Sequence, residues 1–132
     1  MKKNLILLCL CILTISCSKD DETYVNPINP PAWLLGTWQA DTYEDSRTGF
    51  EITEDDIIVL SGSGEISQKD HLKSMHDSSV SMGILEINNE EHFRLELNYP
   101  EGNTVMFSFS KIDDQQISWY KTLDEVVTLT KQ

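Results

Sequence analysis

From Thr37 onward, apolar and polar residues alternate with period two in short runs separated by turn-forming clusters. Phe93, Leu95, Leu97 and Tyr99 interleave with Arg94, Glu96 and Asn98, and Val105, Phe107 and Phe109 with Met106, Ser108 and Ser110. Ile117 and Trp119 oppose Ser118 and Tyr120, and Val127 and Leu129 oppose Thr128 and Thr130. Successive side chains of an extended chain point to opposite faces, so each run predicts a strand with one face buried. Earlier runs predict strands over 37–43, 50–53, 57–60, 64–69 and 80–88. Between the runs lie clusters that favour turns, such as Ser61-Gly62-Ser63-Gly64, Asn88-Asn89-Glu90 and Pro100-Glu101-Gly102-Asn103. Near Gly83 the alternation slips: Val80 and Met82 precede it and Leu85 and Ile87 follow, which predicts a bulge or bend.

No stretch carries a helical apolar stripe of ten residues. Leu72 and Met75, three apart within 69–75, predict a single turn at most. Short strands joined by short turns make an all-β meander. A meander this long on a small chain escapes exposed edges by closing on itself. The expected fold is therefore a small up-and-down antiparallel β-barrel of about eight strands, with an open sandwich as the alternative. About eight strands leave an interior that side chains fill or that holds one small ligand.

Residues 1–16 read differently. Lys2 and Lys3 precede an apolar run from Leu5 to Ile15, and Ser16 is the small residue a signal peptidase requires before its cut. Cys17 follows at once, the lipobox arrangement in which the thiol is diacylated and becomes the new N-terminus. A transmembrane span would need ~20 apolar residues, and this run is too short. An ordinary cleaved signal is the other alternative. Two or more acyl chains, at ~0.8 kcal/mol per buried CH₂, make a stable anchor where one does not.

Residues 17–32 are expected to be a lipidated, acidic and proline-rich tether. Pro27, Pro30 and Pro31 favour an extended spacer. The fifteen residues from Ser18 to Ala32 reach ~50 Å when extended. Lys19, Asp20, Asp21 and Glu22 resemble the export tag of Bacteroidota-type surface lipoproteins. That resemblance implies an outer-membrane protein, lipid-anchored and displayed at the cell surface.

Charge and cysteine usage narrow the classes. Removing residues 1–16 takes away Lys2 and Lys3 and no acid, leaving eight cations against 22 acids, a net charge of −14. Such an excess argues against nucleic acid as a partner and against lying on an anionic bilayer. Cys9 and Cys11 fall in the signal and Cys17 is consumed by lipid, so residues 33–132 hold neither a disulfide nor a cysteine nucleophile.

Trp33-Leu34-Leu35-Gly36-Thr37-Trp38 resembles the opening of lipocalin-like domains, in which a Gly-x-Trp motif starts the first strand. The resemblance implies that Trp38 packs on the barrel floor and that residues 31–35 form a short helical plug. The ending Val127-Thr128-Leu129-Thr130-Lys131 is similar to the last strand of small bacterial lipocalin-like lipoproteins. The Thr-Asp-Tyr motif of larger lipocalins is missing. So is a C-terminal arginine to lie over Trp38, a role for which Lys131 is the only candidate. Residues 33–132 are thus expected to be a lipocalin-like β-barrel domain, short for a roomy calyx.

Candidate chemistry is sparse. Asp70, His71, His76 and Asp77 have metal-ligand character, but a zinc site needs three or four converging groups, and no metal or other cofactor is expected. The acidic turns at 54–56 and 113–114 lack the ligand alternation of a calcium loop. No Gly-x-Ser-x-Gly elbow is present and no catalytic residue is expected. Two readings remain. The expected function is binding of a small apolar or amphipathic ligand in a cavity lined by Trp38, Phe93, Leu95, Phe107, Phe109 and Trp119; the alternative is that these residues form the core of a solid barrel. A solid barrel would act through its surface, as an accessory or immunity-type module that contacts a protein partner.

Overall fold

The computed structural model of the chain describes residues 23–40 and 48–132. Nine antiparallel strands form one curled sheet: β1 (Gly36–Ala40), β2 (Gly49–Ile52), β3 (Ile57–Ser61), β4 (Gly64–Ser67), β5 (Gly83–Asn88), β6 (His92–Asn98), β7 (Thr104–Lys111), β8 (Gln116–Tyr120) and β9 (Val126–Lys131). A 3₁₀ turn over Ala32–Leu34 precedes β1, and one helix, α1 (Gln68–Asp77), lies between β4 and β5. The strand order is β4-β3-β2-β1-β9-β8-β7-β6-β5, so the first and last strands pair at the centre of the sheet.

The all-β expectation holds, with nine strands rather than eight. The sheet is a half-barrel rather than a closed ring, because the consecutive strands β4 and β5 are its two edges and do not pair. The reason is the insertion between them. Ten helical residues and a coil separate two strands that a two-residue hairpin would have joined. The expected strand over 64–69 accordingly ends at Ser67. The phase slip near Gly83 is no bulge: Val80 to Met82 are coil leaving α1, and Ser79 takes a positive φ of 59° there. Of the strand expected at 37–43, residues 41–43 lie outside the described residues.

Helix α1 forms because its first turn is capped twice. Ser67 Oγ accepts from the Asp70 N–H at 3.0 Å. Asp56, a buried residue of the β2–β3 turn, accepts from Ser67 Oγ at 2.6 Å and from the Lys69 N–H at 2.9 Å. These contacts satisfy N–H groups that a helix leaves open and set a carboxylate at the positive end of its dipole. Leu72 is the one apolar side chain that the helix buries.

Two elements bridge the gap between β4 and β5. One is α1, whose His71 Nε2 lies 2.8 Å from the Tyr99 hydroxyl just beyond β6. The other is the segment 23–31. Asn26 Nδ2 donates to the Asp55 carbonyl at 2.7 Å, and Asn88 Nδ2 donates to the Asn29 carbonyl at 2.8 Å, tying the segment to both halves of the sheet. Ile28 and Pro30 are buried, and Ile28 belongs to the core. Residues 24–31, within the segment expected to be a tether, thus lie against the sheet as a strap, with Ile28 in the core. Proline content predicts extension, and an extended segment packs against a gap as readily as it spans water.

Candidate functional site

The sheet curls around the six residues singled out from the sequence. Trp38, Phe93 and Leu95 have no accessible surface, Phe109 has 1% and Phe107 6%, while Trp119 is half-buried. The first five belong to one buried cluster of the core. Phe50, not singled out beforehand, stands at the centre. Its ring meets Phe107, Phe109 and Trp119 edge-on at centroid distances of 6.3, 5.1 and 4.9 Å. Edge-to-face rings at these separations are the favoured aromatic packing. The period-two pattern found Phe93 to Phe109, but Phe50 sits in a four-residue strand too short for the alternation to stand out.

At the start of β1, Trp38 Nε1 donates to the Leu34 carbonyl at 2.7 Å, the back of the 3₁₀ turn. Lys131 lies over the indole, with Nζ 5.1 Å from the ring centroid. Trp33 stays half-buried and donates to the Asn89 carbonyl at 2.9 Å.

The open space is elsewhere. A groove of about 1230 Å³ runs between the strap, α1 and the start of β5, lined by Tyr24, Leu72, Met75, His76, Met82 and Ile84 among others. The Tyr24 ring packs 5.4 Å from that of His76, and its hydroxyl is buried with no hydrogen-bond partner among the described residues. Burial raises its pKa above 10, opposed by the positive charges of Lys69 and Lys73. Lys73 bonds Asp77 one turn on, which raises the lysine pKa and lowers that of the carboxyl.

His71 and His76 part company on the helix, one reaching Tyr99 and the other Tyr24. Among the described residues no group of three or more His, Cys, Asp or Glu is placed to hold a metal ion. His92 Nδ1 lies 2.8 Å from Ser110 Oγ, yet that hydroxyl is buried and also donates to Tyr120. The described hydrogen bonds bring no carboxylate to the imidazole, as an oriented general base would need. Among the described residues no helix is long and apolar enough to cross a membrane. Cys17, Lys19, Asp20, Asp21 and Glu22 lie outside the described residues.

The edge strand β5 borders the groove through Ile84. Its register pairs Ile84 with Leu97, Glu86 with Leu95 and Asn88 with Phe93. Directly opposed residues share a face, so Ile84, Glu86 and Asn88 point inward and Leu85 and Ile87 outward. This reverses the phase expected from Leu85 and Ile87, which are 48% and 45% exposed. The signal was present in the sequence: apolar residues at both 84 and 85 mean that no single face of this run is apolar.

The Asn89 N–H donates to His92 C=O and the Tyr99 N–H to Asn103 C=O. Antiparallel ladders alternate, so Gly83, Leu85 and Ile87 bond to β6, whereas Ile84, Glu86 and Asn88 turn their N–H and C=O to the free edge. Glu86 Oε2 is buried and has no partner among the described residues.

Comparison of the chain with models of protein families, with curated proteins and with solved structures finds no match.

Proposed function

We propose that the chain is a lipid-anchored surface lipoprotein, lipocalin-like in build, whose solid half-barrel acts through its outer surface as a protein-binding module. The observation that carries this reading is the packed interior: five of the six candidate ligand-lining residues are at most 6% accessible. A ligand site needs a concavity with polar groups to orient its occupant, whereas the buried positions singled out on these strands are apolar and closely covered. The anchor rests on Ser16-Cys17, the surface address on Lys19 to Glu22, and the family likeness on Gly36, Trp38 and the ending at Lys131. No catalytic step is assigned.

The groove favours a second reading, a small amphipathic ligand held at the surface. Its Met75 and Met82 are adaptable apolar contacts, and the buried Tyr24 hydroxyl is a donor without an acceptor among the described residues.

Two experiments test the proposal. Cys17→Ser should leave the protein unprocessed or release it from membranes, and retention of an acylated N-terminus would overturn the anchor. For the module, a photoreactive residue is placed in turn at Leu85, Leu123 and Val126 on intact cells. A discrete protein adduct from at least one position is expected. Adducts from none would remove the protein-binding reading.

A further inference from the structure

We infer that β5 is the docking edge for an extended segment of a partner protein in which apolar residues alternate with a lysine or arginine. The segment joins the sheet as a further antiparallel strand and sets its cation against Glu86. This rests on the surface-acting reading above and specifies the partner's chemistry.

Three features of one strand converge. First, the edge is unpaired by any strand of the sheet: β5 is the last strand, the ladder turns the main chain of Ile84, Glu86 and Asn88 away from β6, and β5 contains no proline or lysine to discourage pairing. Second, Leu85 and Ile87 stand exposed side by side on the outer face. Opposite them, an incoming strand would place apolar side chains at cross-strand distance, ~5 Å between Cβ atoms. Third, Glu86 turns inward and, among the described residues, its buried Oε2 has no donor, while Oε1 takes Asn88 Nδ2 at 3.5 Å. The residue of a new strand directly opposite Glu86 lies on that same inward face. A cation there supplies the missing donor and a charge-assisted bond.

The local charge favours a cation too. Glu90 and Glu91 follow in the β5–β6 turn, while Arg94 on the neighbouring strand is already paired with Glu96.

A second copy of the chain fits the edge poorly. Two β5 strands related by a two-fold axis centred on Glu86 would oppose two carboxylates. Centred on Leu85 they would oppose Glu86 to Ile84, leaving the carboxylate without a donor. An inward charge on an edge strand is a known obstacle to self-pairing. Here it also selects the partner.

Hydrogen exchange of the full chain in detergent micelles tests this with two peptides, Thr-Thr-Val-Lys-Val-Thr-Thr and Thr-Thr-Val-Glu-Val-Thr-Thr. The lysine peptide is expected to slow exchange at the Ile84, Glu86 and Asn88 amides by roughly tenfold or more, leaving α1 unchanged. The glutamate peptide should not, and Glu86→Gln should erase most of the difference between the two. Equal effects of both peptides, or no effect of either, would overturn the inference. So would protection of these amides that rises with protein concentration alone, which would make a second copy the occupant. Adducts from Leu123 or Val126 without any peptide effect would sink this inference while sparing the surface-acting reading. Adducts from no position would remove both.

Discussion

Lys131, the penultimate residue, reaches back across the first strand to lie over the indole of Trp38, its Nζ 5.1 Å from the ring centroid. The two strands pair directly, with Trp38 opposite Lys131 in the register. Gly36 makes this approach available. A Cβ at Gly36 would stand 2.6 Å from Lys131 Cε, and the glycine also takes a φ of +134° that other residues rarely adopt. The spacing Gly36-x-Trp38 therefore has a local cause: the glycine clears the path by which the last strand's lysine covers the first strand's tryptophan.

Trp38→Ala should cost ~3–5 kcal/mol, the range for a large aromatic removed from a packed core. Trp33→Ala should cost clearly less, since Trp33 is half-buried and its bond to the Asn89 carbonyl is exposed. A domain of this size has ~5–10 kcal/mol to lose, so urea midpoints separate the two variants easily. Equal and small losses would mean that Trp38 floors nothing.

Ile28→Ala should destabilise the domain by ~2–4 kcal/mol, as for an isoleucine cut from a core. Ile28 is 3% exposed although it lies among the prolines of the presumed tether. An unchanged midpoint would return 24–31 to the role of a free linker.

Asp56→Ala should cost ~1–3 kcal/mol, because it strands the Ser67 hydroxyl and the Lys69 N–H at the start of α1. The loss should fall on α1 first. Hydrogen exchange in α1 rising ahead of that in β6 and β7 would bear this out, and uniform acceleration would contradict it.

The alternation of β6, β7, β8 and β9 was legible because each has one buried face, and period two then survives intact. What could not be read is the break in the ring. Helix α1 is announced by Ser67 with Asp70 three residues later, a helix-start pattern. Its single buried apolar residue, Leu72, leaves no stripe to detect. Half of its capping comes from Asp56, which is remote in sequence. The strap escaped for a similar reason: one isoleucine between prolines carries no period. Glu86 was hidden by reading Leu85 and Ile87 as the inward pair, a choice that only the register with β6 can decide.

Acid should loosen α1. Hydrogen bonds from Lys69 and Lys73 hold the Asp55 and Asp77 carboxyls below their ordinary value of 3.8. A depressed pKa contributes stability that is present above 3.8 and is lost as pH falls through the lower folded value. The partner lysines are raised above 10.5, so their share persists at neutral pH and is lost only as pH rises through those folded values. All four groups are solvent-exposed, so the effect should be small and should shrink with added salt. Asp55→Asn with Asp77→Asn should narrow the midpoint difference between about pH 7 and about pH 3 at low salt. An undiminished difference would assign the acid sensitivity to other carboxyls.

The solid interior is tested most directly by native mass spectrometry of the protein purified from its own membrane in mild detergent. A single species is expected, the acylated chain without a retained small molecule, and Phe93→Ala should not change that. A stoichiometric apolar ligand that survives purification, and is lost in Phe93→Ala or Phe107→Ala, would contradict a packed interior and make the half-barrel a carrier.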